Sequence, residues 1–274
     1  MAKYKRKRII RFFIVPIIIL ITAVVILGGV AISPLCSVKK ITITGVKRIP
    51  EKKIIAALKI PTGTNVFIDT KGSLLDKLFM TFKPYEDKLT QTFPYIENVN
   101  IYFDLGSGLT VDIKERKPFA YIVDDKYSKY ILIDAAGKIL AVDKTQKEAK
   151  IVMLKGVTMK KFVVGETVDI KKVDGIKKVK RVMNIFENPK LKFPKDLIQK
   201  VKWFDITNVK NIEMALSNDR LILLGNIDSV PDVNMARRFS NIIVALKDKR
   251  LDQPGKLEFK NGDFPIWSEN NLGG

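Results

Sequence analysis

Phe12 to Ile32, FFIVPIIILITAVVILGGVAI, is a run of 21 residues without a charge. As a helix rising about 1.5 Å per residue it reaches roughly 31 Å, the thickness of a bilayer's hydrocarbon core. A lone span in lipid must close its own backbone hydrogen bonds, so it is a helix. Pro16 falls near the first turn, where its missing N–H costs least. Gly28 and Gly29 would loosen the exit or admit a partner helix, but lack the spacing of a GxxxG pair. A buried core helix would carry a polar face. A cleaved signal has a shorter apolar run, about 7–15 residues. The best small-residue cleavage site, Ala31-Ile32-Ser33, is followed by Pro34. The stretch therefore reads as an uncleaved anchor.

Charge sets the expected orientation. Lys3, Lys5, Arg6, Lys7, Arg8 and Arg11 precede the span with no acid among them. The positive-inside rule keeps such a tail in the cytoplasm and places the chain from Ser33 onward outside. The full chain carries a net charge of +20, six of it in the tail, so the exported part carries fourteen surplus positive charges. Its lysines are scattered, and no aromatic-and-basic block marks an RNA-binding motif. The surplus reads first as a Lys-rich solvated surface, with a weak contact with anionic wall polymers as the alternative; nucleic acid is not an expected partner.

Several chemistries are closed to this composition. With no His, Ser-His-Asp and Cys-His catalysis and His-ligated metal sites are excluded. One Cys excludes an internal disulfide and a thiolate zinc site. That residue, Cys36, stands beside the span, where it is palmitoylated, paired with another chain, or simply a small apolar residue. Asp124-Asp125, Asp134, Glu166 and Asp169 are the candidate acid/base carboxylates, and each also suits a solvated turn. No catalytic, cofactor or metal residue is assigned.

Past the anchor the apolar pattern alternates between two periods. Val38 to Thr44 places Ile41 and Ile43 on one face of a strand. Ile49-Pro50-Glu51 opens a helix with Pro at its first position, and Ile54, Ile55 and Leu58 recur at helical spacing. Lys71 to Thr92 reads as a second helical region split at Pro84. Val99, Ile101 and Phe103 then alternate, as do Leu109, Val111 and Ile113, with a two-glycine turn, Leu105-Gly-Ser-Gly108, between them. The order is strand, helix, helix, strand, strand, and a three-stranded sheet with both helices on one face buries the apolar set.

These residues carry a resemblance. The Val38–Gly45 start, Gly63-Thr-Asn-Val-Phe67, Phe93-Pro94-Tyr95-Ile96 before a strand and Glu115-Arg116-Lys-Pro118 after one resemble a POTRA domain. More narrowly they resemble the POTRA of the bacterial divisome family FtsQ/DivIB, as do the basic tail and single span. Tyr130-Ile-Leu-Ile-Asp134-Ala-Ala-Gly137-Lys-Ile-Leu140 is similar to that family's strand, Asp, Gly-turn, strand element. Val173 to Phe186 and Met235 to Lys247 read as amphipathic helices. Val201–Ile206, Ile212–Leu216 and Leu221–Leu224 read as strands, with Ser217-Asn-Asp-Arg220 as the turn between the last two.

The expected fold class is α+β. A tail (1–11) and span (12–32) lead to a POTRA domain, β-α-α-β-β (37–117). A mainly antiparallel β domain with flanking helices (118–267) and a short tail (268–274) follow.

The last element draws the functional expectation. Asn261-Gly262 favours a tight turn, pairing Leu257–Lys260 with Phe264–Trp267. No later strand is visible, so the second segment reads as a sheet edge, open to a partner strand by backbone pairing. Lys260, Phe264, Ile266 and Trp267 are the candidate partner contacts. Pro265 spoils part of that edge, and Trp267 divides between interface and core. Trp203, on an inner strand, reads first as core.

The resemblance implies the partners: coiled-coil division proteins of the FtsB/DivIC and FtsL types. It implies a non-catalytic scaffold in the cytoplasmic membrane, concentrated at the division septum. Two rivals stand beside it. An exported wall hydrolase would need a nucleophile motif that is not visible. A POTRA chaperone of membrane-protein assembly would need repeated POTRA units or a barrel.

Overall fold

The computed structural model describes residues 2–68, 76, 81–104, 106, 108–124, 129–143, 145, 151–191, 200–216, 220–247, 255–259 and 262–269. It divides into two compact units, Met1–Arg116 and Lys117–Gly274.

The first unit opens with helix α1, Ala2–Ala31, so the helix continues from the apolar run back through the basic tail. Within it Ile14–Ala31 is long and apolar enough to cross a membrane. A single 3-10 turn, Pro34–Cys36, leads to β1, Lys40–Thr44. Helix α2 spans Glu51–Leu58 and buries Ile54 and Leu58. Pro50 sits at its N-cap in an extended conformation rather than at the first helical position. Lys59 ends the helix in the left-handed region at φ 55°.

Helix α3 is Lys83–Thr92, with Tyr85 and Leu89 inward and Pro84 in its first turn. The expected helical stretch before it falls largely outside the described residues. Strands β2, Ile96–Asp104, and β3, Gly108–Glu115, form the expected hairpin. Sheet order is β1-β3-β2, with β1 parallel to β3, so Ile41 stands beside Leu109 and Ile43 beside Val111. Gly108 has a physical reason: a Cβ there would lie 2.0 Å from the Lys40 carbonyl oxygen.

Side chains close both ends of this unit. At one end the Glu115 carboxylate accepts from the Arg48 and Ile49 amides. At the other, Asn65 is 8% exposed and joins the 65–68 loop to α1. Its Nδ2 donates to the Ala31 carbonyl at 3.0 Å, and its Oδ1 accepts from the Phe67 and Ile68 amides. Asn65→Ala leaves those groups short of partners. We expect a cost of about 1–3 kcal/mol, read as a lower melting temperature of the first unit. Cys36 is buried here, its Sγ donating to the Val30 carbonyl at 3.2 Å.

The second unit is a nine-stranded mixed sheet. Its strands are β4 (Pro118–Asp124), β5 (Lys129–Asp134), β6 (Ile139–Asp143), β7 (Val152–Lys155) and β8 (Val201–Asp205). Then come β9 (Glu213–Leu216), β10 (Leu221–Leu223), β11 (Gly255–Glu258) and β12 (Ile266–Glu269). The spatial order is β12-β11-β10-β9-β8-β7-β4-β5-β6. Neighbours are antiparallel except β4–β7, β7–β8 and β10–β11. Parallel neighbours need long crossovers. Helix α4, Ile170–Glu187, supplies one between β7 and β8, and α5, Asp232–Leu246, another between β10 and β11.

Both helices pack on one face. Ile176, Val179 and Val182 of α4 and Met235, Phe239 and Ile242 of α5 share a core with Ile122, Leu154, Phe204, Met214, Ile222 and Leu257. Phe186 and Phe239 meet with ring centroids 4.3 Å apart.

Two cations bind α4 to neighbouring loops. Lys178 Nζ donates to the Val209 carbonyl and pairs with Asp228 at 2.7 Å and Asp174 at 3.1 Å. Burial alone would lower its pKa, but hydrogen bonds and charges from Asp228 and Asp174 outweigh it and hold the value above the ordinary one. A raised lysine pKa stabilises the fold below the unfolded value. That contribution is lost only as alkaline pH rises through the folded value. Arg181 reaches Asp232 in the first turn of α5 and the carbonyls of Ile227 and Val230.

Candidate functional site

Strand β12 is one end of the nine-stranded sheet. Among the described residues, no strand pairs with its outer side. Its inner side pairs antiparallel with β11, with Leu257 opposite Trp267 and Glu258 opposite Ile266.

The pairing has the register expected for a turn centred on Gly262, though the ladder is shorter than expected, and the turn itself rests on Asn261, outside the described residues. Strand β11 stops at Glu258 and β12 starts at Ile266, so residues 259–265 intervene. Proline has no N–H to give a ladder, and β12 begins directly after Pro265. Phe264 therefore lies in the loop rather than on the strand. Lys260 and Asn261 fall outside the described residues.

The candidate contacts separate by exposure. Phe264 is 75% exposed and Ile266 53% exposed. Trp267 is partly buried and packs against the core of the second unit. A Cβ at Gly255 would lie 2.1 Å from the Cζ2 of Trp267, so the glycine leaves room for the indole across the strand pair. Alternation along β12 puts Trp267 on the core face and Ile266 on the opposite one. Trp267 thus packs between its strand and the core rather than standing free at the edge.

Three side chains of α5 that sequence reasoning missed hold the loop beneath Phe264. Asp263 accepts from Arg237 Nη1 at 3.3 Å and from Arg238 Nε at 3.2 Å. Asn241 Nδ2 donates to the Asp263 carbonyl at 2.7 Å. The Arg238 guanidinium also lies over the Phe259 ring, 5.3 Å from its centroid. The one sequence trace of this grip is a pair of arginines in the middle of an amphipathic helix. Asp263→Ala removes the carboxylate and leaves two cations side by side. Charge-assisted bonds of this kind contribute about 1.5–3 kcal/mol, lowered by the exposure of Arg237. We expect a loss of about 1.5 kcal/mol, measured by denaturant melts of the full chain.

The remaining candidates stand apart. Asp134 is 6% exposed and accepts from the Ala136 and Lys138 amides, fixing the turn at Gly137. Asp169 caps α4 by accepting from the Lys171 amide at 2.9 Å. Glu166 is exposed in the turn before α4, Asp124 ends β4, and Asp125 lies outside the described residues. Trp203 is half-buried, with Lys155 Nζ 4.2 Å from its ring centroid. Among the described residues, no three His, Cys, Asp or Glu side chains cluster as a metal site.

Comparison with known proteins gives these units a lineage. Residues 36–116 match the domain family described as POTRA domain, FtsQ-type. A relative from Clostridium acetobutylicum, cell division protein DivIB, is 25% identical over 237 residues, covering 86% of this chain and 84% of its own. The Clostridium tetani protein of the same name is 25% identical over 205 residues, covering 74% of this chain and 69% of its own. The solved major extracytoplasmic domain of the trans isomer of DivIB from Geobacillus stearothermophilus aligns with 45% of this chain and 94% of that one. Its identity is 12% and its TM-score 0.25, too low to bear on the arrangement of strands. Residues 36–116 are thus a POTRA domain of the FtsQ type, and along most of its length the chain is similar to cell-division proteins named DivIB.

Proposed function

We propose that this chain is a non-catalytic scaffold of the division machinery, anchored in the cytoplasmic membrane by α1. Its basic tail lies in the cytoplasm and both units lie outside, concentrated at the septum. It holds coiled-coil partners of the FtsB/DivIC and FtsL types. The observation that carries this reading is the outer edge of β12, which no strand among the described residues covers, flanked by exposed Phe264 and Ile266. Backbone groups on an edge strand pair readily with an added strand, and apolar side chains beside it supply contact area.

A photo-crosslinking residue placed at 264 or at 266 in dividing cells tests the reading. Adducts with the coiled-coil division proteins are expected at both positions and not at Lys52, which is exposed on α2 in the other unit. Adducts at neither 264 nor 266, in cells that still divide, would reject the site.

A further inference from the structure

The end of the POTRA unit nearest α1 has the chemistry of a membrane-contact surface. The Asn65 side chain donates to the carbonyl of Ala31, the last residue of the helix, at 3.0 Å. The same side chain accepts from the Ile68 amide at 3.2 Å. Ile68 is thus two hydrogen bonds from the helix end, although 37 positions separate it from Ala31 in sequence. Other segments converge there. The Gly106 amide, at the tip of the β2–β3 hairpin, donates to the Leu35 carbonyl at 3.1 Å, and the Val66 amide to the Cys36 carbonyl at 2.9 Å.

This end is apolar where it meets solvent. Ile32 is 70% exposed, Leu35 55% and Ile68 56%. Lys39 and Lys40 are exposed beside them, and Lys40 stands opposite Gly108 at the hairpin tip. Exposed apolar side chains with lysines close by in the chain match the boundary between acyl chains and anionic headgroups. The occupant follows from continuity: a span that ends at Ala31 puts that carbonyl at the bilayer surface, and whatever bonds to it lies at the same depth.

We infer that the POTRA unit is seated on the outer bilayer surface, with Ile32, Leu35 and Ile68 in the interfacial layer, rather than held off it by a free hinge. This rests on the reading of α1 as a membrane anchor. The consequence is directional. Strand β3 runs from Gly108 at the membrane end to Glu115, about 24 Å away at ~3.4 Å per residue. Helix α2 begins beside that distal end.

The test uses the full chain in vesicles containing phosphatidylglycerol. With Cys36→Ala, one environment-sensitive fluorophore is placed on Ile68→Cys or on Lys52→Cys at the distal end. The expected result is blue-shifted emission at 68, quenched about threefold or more over position 52 by lipids carrying a quencher near the headgroup. Equal quenching in protein that resists alkaline carbonate extraction overturns the seat alone. Release of the chain by carbonate overturns the anchor reading and the seat with it. Photoactivatable lipids give a second readout on the unsubstituted chain. Adducts on the peptide containing Ile68 support the seat, and adducts confined to α1 contradict it.

Discussion

Phe264→Ala combined with Ile266→Ala should weaken binding to the coiled-coil division partner by at least about thirtyfold. Melting of the chain should barely change. Both side chains are more than half exposed, so neither holds the core together. Exposed substitutions of this kind usually stay within about 0.5 kcal/mol. For a unit of this size that is roughly 1–2 °C. Their contribution appears only when a partner covers them. Truncating a central interface aromatic costs about 2 kcal/mol or more, equivalent to about thirtyfold in Kd. Titration calorimetry of the full chain in nanodiscs against the partner's extracytoplasmic segment reads the effect. Unchanged affinity would remove both residues from the interface. Trp267→Ala should behave differently: its indole packs on the core, so stability falls along with affinity.

Phe239→Ala should produce the largest loss of stability. The side chain is fully buried and sits between helices α4 and α5, its ring 4.3 Å from that of Phe186. Truncation removes apolar contacts and leaves a cavity that two packed helices cannot close. Such changes cost about 3–5 kcal/mol. At roughly 2–4 °C per kcal/mol the melting temperature of the second unit should fall by about 6–20 °C. The loss should reach the edge as well, because α5 carries Arg237, Arg238 and Asn241, which hold Asp263. Partner binding at a temperature below the lowered melt should therefore weaken too. A melting temperature within 2 °C of wild type, about the shift of an exposed substitution, would show that α5 does not anchor this core.

Much of the first unit is written in local pattern. Ile101 and Phe103 face Val111 and Leu109 across a hairpin whose β2 strand alternates regularly from Val99 onward, after a bulge between Ile96 and Asn98. Period alone is enough to place them on one face. Among the described strands β12 stands at one end of the sheet, the place expected for the last strand segment of the sequence. Contacts over longer sequence distances were not legible. The parallel pairing of β10 with β11 depends on α5 crossing between them, and no local signal gives that register. The antiparallel register around Gly262 was legible, while Pro265, without an N–H for the ladder, precedes the start of the strand at Ile266. Trp267 turns inward because Gly255, on the neighbouring strand, makes space for its ring. Neither residue announces the other in sequence. Asp263 looks like an ordinary loop acid until the fold brings α5 over it.

Backbone hydrogen exchange at Ile266–Glu269, with and without the coiled-coil partner, tests the central claim most directly. A strand added to the β12 edge gives its outward amides new acceptors and removes them from water. Exchange at these residues should slow about tenfold or more in the complex, as expected for amides that gain ordered hydrogen bonds. Distal α2 in the POTRA unit should exchange as before. A stable complex that leaves exchange at 266–269 unchanged would contradict the account and move the partner site away from this edge.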